Sequence, residues 1–167
     1  MSMPPSLQQT AERLAAWLCE HGWLCAVAES CTGGLVGALL TDIPGASLWF
    51  AGGVIAYSND VKRRLLGVDA ETLLHHGAVS DPVVRQMAAG ACQATGAQAA
   101  VSLSGVAGPD GGTPDKPVGT VWIGIAVKGT TAAFLHRFEG NRQAVREQAA
   151  AAALNHLLAA LQAQDAA

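Results

Sequence analysis

The chain has 167 residues, half of them hydrophobic and only 14% charged, with a net charge of −3 at neutral pH. One domain of this size buries about 70% of the surface that its unfolded chain exposes, which argues against disorder. The acidic balance argues against nucleic acid as main partner, since phosphate-backbone binding needs clustered Lys and Arg and the only basic cluster is Lys62-Arg63-Arg64.

The first five residues read as a lead-in, residues 6–163 as the single domain, and residues 164–167 as a tail. A first helix is expected from Ser6 to His21. Ser6 and Gln9 have capping-box spacing, Leu7, Ala11, Leu14, Ala15 and Leu18 recur on one face, and Gly22 can close the end. A strand is expected over Trp23 to Ala28, followed by the polar turn Glu29-Ser30-Cys31-Thr32-Gly33-Gly34 and a helix to about Leu40. Leu48 to Tyr57 reads as a strand. Asn59 is placed to cap a short helix, Asp60 to Leu66, stopped by Gly67. Another short helix covers Asp69 to His75, and Asp81-Pro82 starts one that runs to Thr95. Gln98 to Leu103 is a buried strand, and Ser104 to Pro117 a glycine-rich loop. Two strands, Val118 to Lys128 and Thr131 to Phe138, join at a hairpin, and a last helix covers Asn141 to Leu161. Interleaved helices and strands with one hairpin predict an α/β fold, a three-layer α/β/α sandwich around a mostly parallel, mixed sheet.

No apolar run approaches the roughly 18 residues of a membrane span, so no membrane is expected as partner. Cys19, Cys25, Cys31 and Cys92 have no C-x-x-C spacing, and the five His make no H-E-x-x-H. Neither metal nor cofactor is therefore expected. No secretory leader is recognisable, and the thiols read as reduced and cytoplasmic.

Ser30 lies between a strand and a helix start, where orphan N–H groups favour developing oxyanions, and this suits a nucleophile. The same Ser, Thr and Gly are also ordinary capping chemistry. No His is well placed as a base. Lys62 is the better candidate: near a helix start and beside Arg63 and Arg64, its ammonium is disfavoured, as a lysine base requires. Tyr57, at a strand end five residues earlier, can bond to the same nucleophile or relay its proton. Against this, a Lys-Arg-Arg run is commonly a solvated helix face. The Ser104–Pro114 loop leaves a strand end with glycines that let backbone approach a phosphate or ring. Arg142, in the first turn of the last helix, can fork onto a phosphate. Cys31 is a rival nucleophile, though a Cys against an apolar helix usually packs.

Five joined motifs resemble the CinA C-terminal domain family: Ala28-Glu29-Ser30-Cys31-Thr32-Gly33-Gly34, Ala56-Tyr57-Ser58-Asn59 with Lys62, Gly77-Ala78-Val79-Ser80, Ser104-Gly105-Val106-Ala107-Gly108-Pro109, and Gly112 to Val121. The similarity runs in order from about Leu7 to Leu158. That family contains nicotinamide-nucleotide amidohydrolases, and the resemblance implies hydrolysis of the carboxamide of nicotinamide mononucleotide. It also implies a metal-independent enzyme that tends to form a homodimer. Ser30 would be the nucleophile and Lys62 and Tyr57 its activators. N–H groups of Thr32, Gly33 and Gly34 would hold the oxyanion. Ser104, Gly105, Ala107 and Gly108 would line the nucleotide pocket, and Arg142 would meet the phosphate. Glu29 and Asp110 are candidates for the pyridinium ring. The alternative is a non-catalytic nucleotide-binding module or a competence-related interaction module.

Overall fold

Glycine and capping residues set most element ends. In the computed structural model, which describes residues 4–167, the chain runs through α1 (Pro5–His21), β1 (Cys25–Glu29), α2 (Leu35–Thr41), β2 (Phe50–Ile55), α3 (Asn59–Leu66), α4 (Ala70–His76) and α5 (Asp81–Thr95). It continues through β3 (Ala99–Gly105), β4 (Thr120–Val127), β5 (Thr130–Arg137) and α6 (Arg142–Gln162). Most of the expected lead-in, residues 1–3, lies outside the described residues. Gly22, Gly67 and Gly96 end α1, α3 and α5 in the left-handed conformation.

Two helix starts differ from expectation. Ser6 does not cap α1, because Pro5 takes the first helical position, where its fixed φ is already helical, and begins the helix one residue earlier. Ser58, not Asn59, caps α3, its hydroxyl accepting the Val61 N–H at 3.2 Å. Lys62 therefore sits one residue deeper in the helix. Asn141 caps α6 by accepting the Ala144 N–H at 2.9 Å.

The sheet order is β2-β1-β3-β4-β5. Strand β1 runs parallel to β2 and β3, while β3–β4 and β4–β5 are antiparallel. The sheet is mixed: four of its five strands point the same way and β4 alone is reversed. A parallel return needs a crossover, usually helical, and the 106–119 connection holds no helix, so β4 comes back antiparallel. The β4–β5 hairpin turns on Lys128 and Gly129, both at positive φ, as a two-residue primed turn requires.

Helices α1, α2 and α6 cover one face, packing Leu14, Leu18, Leu40, Leu154 and Leu157 against Val101 of β3. On the other face, Leu66 of α3, Leu73 of α4 and Val83 and Met87 of α5 pack on Ala26, Ala28 and Ala100. Gly90 lets α3 press against α5, since a Cβ there would run into the Leu66 carbonyl. These layers hold α3 rigidly beside the carboxyl ends of β1, β2 and β3. Chain leaving those three ends meets at one edge of the sheet, the usual ligand position in open α/β folds.

A half-buried pair of imidazoles joins β5 to α6. His136 and His156 meet Nε2 to Nε2 at 2.8 Å, Phe134 stacks on His156 and Phe138 on His136. Burial pushes both below the ordinary histidine value, and for His156 the neighbouring His136 adds to the burial effect. The unfolded chain takes these protons near pH 6.5, above the folded values, so it holds more protons in that window and stability falls as pH falls through it. The urea midpoint should therefore drop between about pH 7.5 and pH 5.5, and the drop should be shallower in His156→Gln. An unchanged slope in the variant would remove the pair as its cause.

Candidate active site

Strand β1 ends on a carboxylate that is fully buried. Glu29 Oε2 accepts the N–H groups of Gly34 and Val36 at 3.0 and 3.1 Å, and Oε1 accepts that of Gly37 at 2.8 Å. These are the orphan donors of the first turn of α2, satisfied by one side chain. Gly33 and Gly34 take positive φ of 60° and 104°, which bends the chain from strand to helix with Ser30 at the mouth of the bend. The Ser30 N–H still belongs to the sheet, donating to Leu103 O at 3.0 Å.

This closure changes the expected oxyanion site. The Gly34 N–H is taken by Glu29, and the Gly33 N–H donates to Ser30 O at 3.1 Å. Thr32 is fully buried, and neither it nor the two glycines line the cavity that holds Ser30. A carboxylate inside the chain already occupies the anion position that the sequence left open. For the same reason Glu29 is not free to meet a pyridinium ring.

Lys62 reaches Ser30 from α3. Its side chain is 1% exposed, and Nζ donates to Ala56 O at 2.8 Å, to Tyr57 O at 3.2 Å and to Ser30 Oγ at 3.2 Å. No carboxylate is among these partners. Burial therefore pulls the amine below the ordinary lysine value, with the neighbouring Cys31 opposing. The cause is desolvation, not the expected repulsion by Arg63 and Arg64, whose side chains are exposed on the outer face of the helix. The carbonyls only accept. A neutral amine gives its two hydrogens to them and keeps its lone pair for the Ser30 hydroxyl.

A cavity of about 310 Å³ opens over this pair. Ser30, Lys62, Tyr57, Ser104, Gly105, Ala107, Gly108, Asp110 and Arg142 all line it, so most of the expected site converges. Ser104 is buried at its floor. Tyr57 plays a different part from the one expected: it touches Lys62 through its main-chain carbonyl, while its phenol swings outward, 64% exposed, and its oxygen accepts from Arg142 Nη2 at 3.3 Å. Arg142 Nη1 donates to Gly108 O at 2.8 Å, tying α6 to the glycine loop. Cys31 also borders the cavity, but burial raises its thiol to about 11 and its side chain sits in the core. No His lines the cavity, and among the described residues no three His, Cys, Asp or Glu side chains gather as metal ligands. A larger hollow, about 570 Å³, lies beyond Arg142 and Arg146 and contains neither Ser30 nor Lys62.

Arg146 was not singled out from the sequence. Its Nε donates to Cys31 O at 3.2 Å and its Nη2 to Thr32 O at 2.8 Å. A signal existed: Arg142 and Arg146 stand four apart near a helix start, where like charges repel each other and oppose the dipole unless acceptors wait for them.

The CinA C-terminal domain pattern matches residues 7–161. The chain is 50% identical to the nicotinamide-nucleotide amidohydrolase PncC of Escherichia coli (strain K12) over 152 residues, 90% of this chain and 92% of that one. It is also 50% identical to the protein of the same name from Enterobacter agglomerans over 153 residues, covering 91% and 93% of the two chains. Among solved structures, the competence/damage inducible protein CihA from Agrobacterium tumefaciens superposes with a TM-score of 0.92 at 39% identity, covering 97% of this chain and 99% of that one.

Two outcomes follow from the turn's geometry. Glu29→Gln places an amide among backbone donors and should cost about 1–3 kcal/mol, read as a lower urea midpoint. Iodoacetamide on the native protein should modify exposed Cys19 and leave Cys31 untouched by peptide mass until the chain is unfolded. Equal modification of the two would contradict the burial of the Cys31 thiol.

Proposed function

The chain belongs to the CinA C-terminal domain family, and from that premise we propose that it hydrolyses the carboxamide of nicotinamide mononucleotide to nicotinate mononucleotide and ammonia. The observation that carries the reading is the 3.2 Å contact between Lys62 Nζ and Ser30 Oγ, made by an amine whose other partners are carbonyls. The names of relatives at 50% identity support the reaction.

In this reading Ser30 Oγ attacks the amide carbon and its proton passes to Lys62 Nζ. The tetrahedral intermediate collapses as Lys62 returns that proton to the leaving nitrogen, and ammonia departs from a Ser30 acyl ester. Water then attacks the ester, Lys62 again takes the proton, and the nicotinate carboxylate leaves as Ser30 regains its hydrogen. The oxyanion falls to the glycine loop. The Ala107 and Gly108 N–H groups have no protein acceptor among the described residues, and both residues line the cavity. Ser104 and Gly105 shape the nucleotide pocket, and Arg142 turns from the Tyr57 hydroxyl to the phosphate. Tyr57 keeps the amine in place through its carbonyl and presents its ring at the cavity rim. Asp110, also at the cavity, faces the pyridinium charge. The enzyme works in the cytoplasm as a homodimer, needs no metal or cofactor, and has neither nucleic acid nor membrane as a partner. No helix among the described residues is long and apolar enough to cross a membrane.

Ammonia release from nicotinamide mononucleotide should fall by at least about 1,000-fold in Ser30→Ala and in Lys62→Met. For the wild type, kcat/KM should rise with pH through the Lys62 titration, and that limb should lie below the ordinary lysine value of about 10.4. Undiminished turnover in Ser30→Ala would remove the mechanism.

A further inference from the structure

Resting on the reading of Ser30 as nucleophile, we propose that Arg146 is a positioning residue that fixes the Ser30 turn at its distance from Lys62. The turn is held from two sides. Before Ser30, the Glu29 carboxylate binds three N–H groups of the following turn. After it, one guanidinium binds two successive carbonyls, Cys31 O through Nε and Thr32 O through Nη2. Two donors in one rigid plane fix the orientation of two peptide planes, which a single flexible contact does not. Those peptides, Cys31–Thr32 and Thr32–Gly33, begin one residue after Ser30, so their orientation constrains the backbone that carries Oγ.

The placement of Arg146 separates this role from substrate contact. It borders the outer hollow and does not line the cavity shared by Ser30 and Lys62. Arg142, one turn earlier on α6, ties down the opposite wall through Gly108 O. The start of α6 thus sets the nucleophile turn and the glycine loop in register, 146 serving the first and 142 the second. Loss of Arg146 frees the turn carbonyls to rotate. A displacement of Ser30 Oγ by about an ångström suffices to lose about 100-fold in rate while the substrate pocket is unchanged.

The experiment compares wild type, Arg146→Lys and Arg146→Ala in two assays and a thermal melt. The first is kcat and KM for ammonia release from nicotinamide mononucleotide. The second is the rate at which an alkyl fluorophosphonate labels Ser30, followed by intact mass and peptide mapping, which needs no knowledge of the substrate. In Arg146→Ala, kcat and the labelling rate should fall together by about 10- to 100-fold with KM within about threefold. Arg146→Lys, which keeps the charge and can reach one carbonyl, should fall between. If Arg146→Ala does not fold, Arg146→Lys carries the same comparison. A labelling rate within about twofold of wild type in the variants, even with a lowered melting temperature, overturns the positioning role, as does a rise in KM alone. Wild type that labels at Ser30 but releases no ammonia removes the substrate reading and leaves the labelling comparison to decide Arg146. Wild type that does not label at Ser30 overturns both.

Discussion

A lysine amine removed from water, with two carbonyls and one hydroxyl as its only partners among the described residues, is the constraint around which this molecule is arranged. An ammonium buried without a counter-charge is expensive, so burial pulls the Lys62 pKa below the ordinary lysine value. Each unit of that fall is worth about 1.4 kcal/mol of folding free energy given up at pH values below the folded titration. The rest of the fold has to sustain that cost. It does so through two packed layers, with α3 pressed on α5 at Gly90 and the strand ends holding Ala56, Tyr57 and Ser30 around the amine.

Ser30 answers to a second constraint, the closure of its turn. A helix start after a strand is an anion site, and here the anion is internal, the carboxylate of Glu29. Consuming those donors leaves Gly33 and Gly34 with no free N–H, while Thr32 is buried away from the cavity. In the proposed reaction the donors are those of the wall opposite, where the Ala107 and Gly108 N–H groups have no protein acceptor among the described residues and border the cavity. The proposed reaction thus divides the work: one backbone segment would position the nucleophile and another would meet the developing charge.

What could be read from the sequence was mostly local. Gly22, Gly67 and Gly96 marked helix ends, Asp81-Pro82 a helix start and Lys128-Gly129 a hairpin, because each depends on the φ preference of one or two residues. Ser30 and Lys62 were legible as candidates through motif and chemistry. Their approach, 32 positions apart in the chain, was not, since no periodicity reports how α3 lies on the sheet. For the same reason the depressed lysine was assigned to neighbouring arginines, which point outward, when burial is its cause. The phenol of Tyr57 was given a role that its carbonyl fills, because sequence shows a side chain and hides the backbone group beside it. Arg146 escaped notice because its acceptors lie more than a hundred residues away, in a turn whose carbonyl directions only the tertiary fold defines.

The state of the Lys62 amine can be measured directly. Titrating the lysine ε-CH2 groups by carbon–proton NMR, with the Lys62 signal assigned by its loss in Lys62→Arg, gives the amine's own pKa in the resting protein. A value clearly below the ordinary lysine value of about 10.4 is expected from its burial. A Lys62 signal that titrates at or above that value would mean a charged amine with no lone pair for Ser30, and would contradict the arrangement at its root.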